Sequence, residues 1–555
     1  MPHLEGKRAF LELCVQEGIE FIFGNPGTTE LALMDALAVE ERVRYVLGLQ
    51  EAAVMGIADG YSQASGRLAL VNLHAAPGLG NGLGMLHNAK KAGTPLIVTA
   101  GQQNLEFALT EPLLWDDLVG MARPLVKWSA EVTSLRDLPR AMHRAAKTAL
   151  APPTGPVFLS IPGDILTAAE DIDLMAPSRI APGLRGDAAA IARAATLLAD
   201  CEAPMIFAGD AVAQSRAHAA AVRLAELIGA PVYAESLPST ASFPSSHPLF
   251  AGTIERLGPP ARAILDKHDL ILSIGGDLFT QSMASGVEPI PPGVAIVHID
   301  LDPWQLAKNY PAEVAILGDP AAVLPELVTA TEACLAGPAA RRAQERRERV
   351  TAALRGKRAD LLQRVQREVD AKPLRALPLI HALGEALPRD AVVIEEALSS
   401  APRLRELIRS GDPQSFFGMR GGGIGWGLAA TVGVKLAIPQ RPVIAITGDG
   451  SSLYTIQALW TAAHERLSTV FVILNNRSYR ILKQRTQGMR GYAAQTGNFV
   501  AMDLHDPAID FLKLAESFGA RPVAAQTIDE VLDAVSRGFA HQGPTVIDVA
   551  IDPEL

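Results

Sequence analysis

The sequence predicts an α/β protein of three Rossmann-like or flavodoxin-like domains, each built on a central parallel sheet. Short apolar runs alternate with longer helical patterns, and the alternation begins afresh twice. The stretches between the three series differ in composition from the series themselves. A chain of 555 residues, 48 % hydrophobic and 20 % charged, suits roughly three to four domains with more than one core.

In the first series FIFGNPG (21–27) reads as a strand ending in a tight turn, and VRYVLGL (43–49) as a second strand. EAAVMGIADGYSQAS (51–65) is helical, with small residues for close packing. LALVNLHA (68–75) is a strand, followed by a glycine-rich turn and the helical LGMLHNAKKAG; TPLIVTAG (94–101) is a further strand. The proline-rich APPTGPVFLSIPGDI (151–165) closes a first domain, 1–174, and MAPSRIAPGLRGD (175–187) reads as a linker. PMIFAGD (204–210), PVYAES (231–236), DLILSIGGD (269–277) and VAIVHIDLDP (294–303) form a central domain over 188–335, with its last helix beginning in 317–329. Residues 336–372 are rich in Arg, Ala and Glu and read as a solvated helix or helical linker. The third series defines a domain over 373–555. Its strands are AVVIEEA (391–397), PVIAITGDG (442–450), TVFVILNN (469–476) and TVIDVAID (545–552), with helical patterns at 421–438 and 455–465.

A net charge of −10 supports solubility and argues against a nucleic-acid surface, as do the acids interleaved with the bases of 336–372. Cys14, Cys201 and Cys334 are sparse, odd in number and without metal-type spacing, which suits a reducing, cytoplasmic setting. No apolar run is long enough to span a bilayer, and MPHLEGKRAFLELCVQEG lacks the apolar core of a signal peptide. The expectation is a cytoplasmic enzyme with neither nucleic acid nor membrane as partner.

The chemistry begins with two strand ends. GDG (448–450) follows one apolar strand and NN (475–476) another, with one helix between them. Strands of one parallel sheet end on the same side, so Asp449 and Asn476 can meet above it. A carboxylate and an amide oxygen are hard ligands suited to magnesium or calcium, and diphosphate oxygens can complete the shell. Gly448 and Gly450 let the backbone approach phosphates closely. GDG alone is also a common turn; the pair at this spacing is the specific signal.

GDGSSLYTIQALWTAAHERLSTVFVILNN resembles the cofactor signature of thiamine-diphosphate enzymes. FIFGNPGTTE, LGLQEAAVMGIADGYSQASG and ALVNLHAAPGLGNGLGMLHNAKKAGTPLIVTAGQQ resemble the pyrimidine-binding domain of the same family, nearest to the benzoylformate decarboxylases. The likeness covers essentially the whole chain and is loosest over 175–370. It implies that magnesium is held by the side chains of Asp449 and Asn476 and the backbone carbonyl of Ser478. It implies that Glu51 hydrogen-bonds the cofactor's aminopyrimidine and so promotes formation of the carbon nucleophile; taken alone, Glu51 is a favourable first-turn charge. Ile424, after Gly423, would prop the bent cofactor; the plain alternative is a core isoleucine. Leu398, Ser399 and Ser400 match a diphosphate-holding loop, with Ser399 the side-chain donor. Ser451 and Tyr479 fall within the same cofactor-binding set. Asn25, Pro26 and Gly27 match a loop near the partner subunit's cofactor. The resemblance also implies that Glu51 and Asp449 act across an interface, making a homodimer the minimum unit and a homotetramer the larger assembly.

For the substrate, His74 matches a catalytic histidine of those decarboxylases, and Thr28 a serine that helps bind the substrate carboxylate. A second catalytic histidine of the likeness falls in GGDLFTQSMASG, where Ser282 and Gln281 stand instead. Gly418 replaces an aromatic residue. Arg477, Arg480, Lys483 and Arg485 form either a basic surface loop or a carboxylate- or phosphate-recognising group. The expected reaction is non-oxidative decarboxylation of a benzoylformate-like 2-keto acid to an aldehyde. The alternative is a carboligase or lyase, including an acetolactate-synthase-like enzyme, although His74 stands where such synthases usually carry glutamine. A flavin oxidase lacks a dinucleotide fingerprint in the central region. A non-catalytic cofactor-binding scaffold would not need Glu51, Asp449 and Asn476 together.

Overall fold

The computed structural model describes residues 2–554. It divides into two compact units. The first contains residues up to Ile180, Asp390–Ser400 and those from Met419 onward; the second contains Ala181–Arg389 and Ala401–Gly418.

The first unit holds two parallel sheets. In one, the strands run in the order Arg44–Leu47, Phe21–Gly24, Ala69–Leu73, Leu96–Gln102, Val157–Pro162 and Ser129–Glu131. In the other, Val392–Glu396, Val443–Gly448, Thr469–Asn475, Thr545–Ala550 and Arg521–Ala525 lie side by side. The second unit holds the third parallel sheet, in the order Phe250–Ile254, Val232–Glu235, Pro204–Ala208, Leu270–Ile274, Ala295–Asp300 and Val314–Leu317. Central strands such as Ala69–Leu73 and Thr469–Asn475 are buried along their whole length, as a parallel sheet covered on both faces requires. The predicted class of three α/β domains on parallel sheets is therefore the observed one.

The helix Glu51–Ser65 packs along the helix Trp426–Ala437, and small residues set how closely. A Cβ added to Gly433 would fall 1.8 Å from the Ile57 carbonyl oxygen. Buried Asp59 locks the same contact by accepting from Trp426 Nε1 at 2.6 Å, Thr94 Oγ1 at 2.5 Å and Gln63 Nε2 at 3.0 Å. Burial raises the Asp59 carboxyl above the usual carboxylate range, against these three bonds.

Several local expectations change. The glycine-rich stretch after His74 is not a turn but the opening of the helix Ala75–Ala92, where a Cβ on buried Gly82 would press on Met55 and Leu73 at 3.2 and 3.3 Å. The pattern read as a helix from 421 becomes one only at Trp426, and that at 455 only at Ala458. The proline-rich 151–165 contains the strand Val157–Pro162. Phe250–Ile254, Val314–Leu317 and Arg521–Ala525 were also not predicted as strands; each is short, with partly exposed residues that dilute the apolar signal. In the second unit the Arg-rich segment forms the helix Pro338–Glu368, which is docked rather than simply solvated. Its buried Arg346 donates to the carbonyl oxygens of Ile228 at 2.8 Å and Cys201 at 2.9 Å, at the C-terminal ends of two helices where cations are favoured.

Candidate active site

Two groups of predicted residues assemble, both within the first unit. Val443–Gly448 and Thr469–Asn475 are parallel neighbours with Gly448 opposite Leu474. Asp449 and Asn476 each follow one of these strands, and both line a cavity of about 290 Å³. Leu398, Ser399, Ser400, Ile424, Gly448, Gly450, Ser451, Ser478 and Tyr479 line the same space. Asp449 is buried, and its Oδ2 has no hydrogen-bond partner among the described residues. Burial pushes its carboxyl up to about 6, although the N–H groups of Gly450, Arg477 and Ser478 act in the opposite direction. Asn476 is held in one orientation: Nδ2 donates to Ser400 Oγ at 2.8 Å, while Oδ1 accepts from the Ser478 N–H and Oγ, each at 2.9 Å. Ser400, rather than Ser399, therefore makes the side-chain contact with Asn476.

These residues fit a hard divalent cation. A buried carboxylate oxygen without a partner and an oriented amide oxygen line one cavity, and both are ligand types such an ion takes, the amide oxygen by giving up its contact with the Ser478 hydroxyl. No group of three or more His, Cys, Asp or Glu side chains suited to a metal occurs among the described residues, so oxygens of a bound diphosphate would be needed to complete the shell. Gly448 leaves open space, with its nearest neighbour 4.0 Å from an added Cβ. Gly450 instead makes room for Tyr479, whose ring would lie 2.6 Å from such a Cβ.

Ile424 is fixed from both sides by residues the sequence did not single out. Before it, Asn88 clamps Gly423, accepting from the Gly423 N–H at 3.0 Å and donating to the Gly423 carbonyl at 2.7 Å. After it, the N–H groups of Gly425 and Gly427 donate to Glu396, the last residue of its strand. Glu396 is fully buried, and desolvation pushes its carboxyl up to about 7. Its only sequence signal was an acid pair at the end of an apolar strand.

The second group gathers around Glu51. The Gln50 side chain caps the helix start by accepting from the Ala53 N–H. Glu51, the first helical residue, is buried and accepts from Asn25 Nδ2 at 3.2 Å and Asn81 Nδ2 at 3.0 Å. His74 is adjacent: a Cβ on Gly78 would lie 3.4 Å from His74 Cβ and 3.5 Å from Glu51 Oε1. His74 Nδ1 lies 2.9 Å from Oε2 of buried Glu30 and 3.1 Å from Thr29 Oγ1. A proton on Nδ1 donated to Glu30 leaves Nε2 as the acceptor of the neutral ring. Glu30 is itself anchored by the N–H groups of Gly101 at 3.0 Å and Gly27 at 2.9 Å. Gly27 admits the imidazole, because a Cβ there would meet the ring at 2.2 Å. Thr28 opens the short 3₁₀ turn Thr28–Glu30, and its neighbour Thr29 makes the contact with His74. Asn25, Pro26 and Gly27 form the loop between the strand Phe21–Gly24 and that turn. None of this second group lines the cavity at Asp449, whose walls come entirely from 397–501.

In the second unit Ser282 is exposed and donates to the Arg256 carbonyl at 3.0 Å. His298 is buried, and desolvation brings its imidazole down to about 4. His268 sits 3.1 Å from the Ala203 carbonyl, its imidazole also lowered by burial. Gly418 has no room for an aromatic ring, since a Cβ would lie 2.6 Å from the Pro238 carbonyl oxygen. Of the basic group in the first unit, Arg480 lines the cavity, while Lys483 is paired with Asp503.

Residues 4–119 match the profile of the thiamine pyrophosphate enzyme N-terminal TPP binding domain, 191–327 that of the central domain, and 401–549 that of the C-terminal TPP binding domain. The chain is 34 % identical over 544 residues to the benzoylformate decarboxylase of Pseudomonas aeruginosa, with 98 % of each protein covered. It is 26 % identical over 563 residues to the acetolactate synthase large subunit of Haemophilus influenzae, covering 100 % of this chain and 95 % of that one. Among solved structures it is similar to a benzoylformate decarboxylase from Polynucleobacter necessarius, 29 % identical with a TM-score of 0.87 and 99 % of each chain covered. It is also similar to a thiamine diphosphate-dependent 4-hydroxybenzoylformate decarboxylase from Rhodococcus jostii, 32 % identical with a TM-score of 0.85, covering 99 % of this chain and 100 % of that one. The chain belongs to the thiamine-diphosphate-dependent decarboxylase family of carbon–carbon lyases, within the group that spans benzoylformate decarboxylases and acetolactate synthases.

Proposed function

We propose that the protein decarboxylates an aromatic 2-keto acid of the benzoylformate type to the corresponding aldehyde without oxidation, with carboligation as a side reaction. The observation that carries this reading is His74, oriented through Nδ1 by Glu30 and placed beside Glu51. Bound thiamine diphosphate supplies a nucleophilic carbon and a cationic ring that accepts the electron pair released with carbon dioxide. Asp449 and Asn476, with the Ser478 carbonyl, would hold magnesium and through it the diphosphate. Ile424, fixed between the Asn88 and Glu396 contacts, would support the cofactor's rings. Glu51 would exchange a proton with the aminopyrimidine; its hydrogen bonds from Asn25 and Asn81 fix both carboxylate oxygens. His74 Nε2 would move a proton to or from the substrate, and Thr28 would hold its carboxylate.

The separation of the two groups supports a homodimer as the minimum active unit, with Glu51 of one copy serving the Asp449 cavity of another, and a homotetramer as its assembly. Sedimentation that finds an active monomer would refute this. A second reading, carbon–carbon bond formation as the main reaction, draws support from Ser282, which leaves that segment without an imidazole.

Incubation with thiamine diphosphate, magnesium and a panel of 2-keto acids, with products read by mass spectrometry, separates the two. Aromatic aldehyde as the main product supports the proposal; 2-hydroxy ketones formed mainly from pyruvate overturn it. Hydrogen–deuterium exchange at the thiazolium carbon should be accelerated by wild type and not by Glu51→Gln. Absence of acceleration by wild type would remove the enzymatic reading altogether.

A further inference from the structure

The second unit contains a cavity of about 770 Å³ that shares no residue with the one at Asp449. Its charge is unlike that of the chain. The helix Pro338–Glu368 contributes Arg355, Lys357, Arg358, Arg364 and Arg367; Lys267 and Arg403 face them from other segments. Seven basic side chains thus line one space with two carboxylates, Asp360 and Glu406, in a protein whose net charge is −10.

Two carboxylates are too few to balance seven cations. Glu406 pairs with Arg403 at 3.1 Å, and burial raises its carboxyl above the usual range. Outside the lining, Glu368 takes Arg364 at 2.8 Å. Lys267, Arg355, Lys357, Arg358 and Arg367 have no carboxylate within 4 Å among the described residues. Partial desolvation, then the positive Lys267 and Arg403, hold the Lys357 ammonium below the ordinary lysine range, against the opposing field of Glu406. Like charges brought this close repel one another, and an anion between them removes that cost.

The remaining walls add a second requirement. Tyr233, Phe250, Ile264 and Leu354 present apolar and aromatic surface to the same cavity. Thr351, Leu354, Arg355 and Arg358 stand at i, i+3, i+4 and i+7, so a single helix face offers apolar contact and cations together. The volume lies within the roughly 300–1,000 Å³ of small-molecule sites.

We propose that this cavity binds a small organic polyphosphate, its phosphates between Lys267, Lys357, Arg358 and Arg403 and its apolar or planar body against Tyr233 and Phe250. A nucleoside diphosphate has this chemistry, and guanidinium groups suit its phosphate oxygens.

The test is calorimetric titration of ADP, with adenosine as the uncharged comparison, into the full chain already saturated with thiamine diphosphate and magnesium. Saturable ADP binding is expected. It should weaken about tenfold or more in Lys357→Glu and in Arg358→Glu and weaken as salt rises, while adenosine binds far less. Both side chains are exposed, so the variants should fold, which circular dichroism and unchanged turnover of the keto acid would check. Four results would each overturn the proposal: no saturable ADP binding; the same affinity in both variants; adenosine binding as tightly as ADP; or ADP binding abolished by excess thiamine diphosphate, which would assign it to the cofactor's own diphosphate site.

Discussion

Replacing Asn88 by alanine isolates the clamp that positions Ile424. Asn88 is 2 % exposed and makes two hydrogen bonds to one residue, accepting from the Gly423 N–H and donating to its carbonyl. Truncation removes both and leaves two backbone groups without a protein partner. A net hydrogen bond contributes about 1 kcal/mol, and stranding a buried polar group costs about 1–3 kcal/mol. Two such groups give about 2–6 kcal/mol, toward the lower end where water enters the space left by the amide. Urea unfolding followed by circular dichroism should therefore show a lower midpoint, with the slope little changed. Asn88→Asp keeps the acceptor for the Gly423 N–H but sets a carboxylate against the Gly423 carbonyl, so it should be no better tolerated. Gly423 immediately precedes Ile424, and the same variants should also weaken thiamine-diphosphate binding, read by titration of tryptophan fluorescence. An Asn88→Ala protein within about 0.5 kcal/mol of wild type, the range of an ordinary surface substitution, would show that the clamp is not what fixes the loop.

Gly433→Ala should destabilise by about 3 kcal/mol or prevent folding, because its Cβ would overlap the Ile57 carbonyl at 1.8 Å; thermal unfolding reads this directly. Glu396 makes stability depend on pH in a defined direction. Its folded value of about 7 lies above the unfolded value near 4.5, so its contribution is fully present below pH 4.5 and is lost as pH rises through 7. The loss is about 3 kcal/mol, and Glu396→Gln should flatten that part of the pH–stability curve. Glu30→Gln should lower kcat by about tenfold to a hundredfold while leaving magnesium and thiamine-diphosphate affinity near wild type, because Glu30 orients His74 and lies outside the Asp449 cavity. Asp449→Ala should weaken magnesium-dependent cofactor binding by about a hundredfold or more, measured by equilibrium dialysis.

What the sequence made legible follows from how far each signal reaches along the chain. Asp449 and Asn476 could be paired because each ends an apolar strand, and parallel strands bring such ends together whatever the intervening helix contains. The helix pattern put Glu51 at a helix start, where an acid is ordinary, and only the family resemblance marked it out. Asn88 gave no comparable signal: it sits in the middle of a helical run, and its partner Gly423 is 335 positions away. Glu30 was hidden for a related reason. It lies two residues after the predicted Thr28, yet its contacts with His74 and Gly101 depend on the packing of neighbouring strands, which no local pattern encodes. The Arg-rich helix shows a third kind of blindness. Its acids and bases alternate along the chain and suggest a neutralised, solvated face, but a helix sorts residues by angle rather than by order. Folding turns Arg355, Lys357, Arg358, Arg364 and Arg367 into one cavity with a single acid from the same helix, Asp360, while Glu345 and Glu348 lie outside it. Linear charge mixing therefore does not exclude an anion site on a docked helix. Which side chains share an angle, and what stands opposite them, decides the local field.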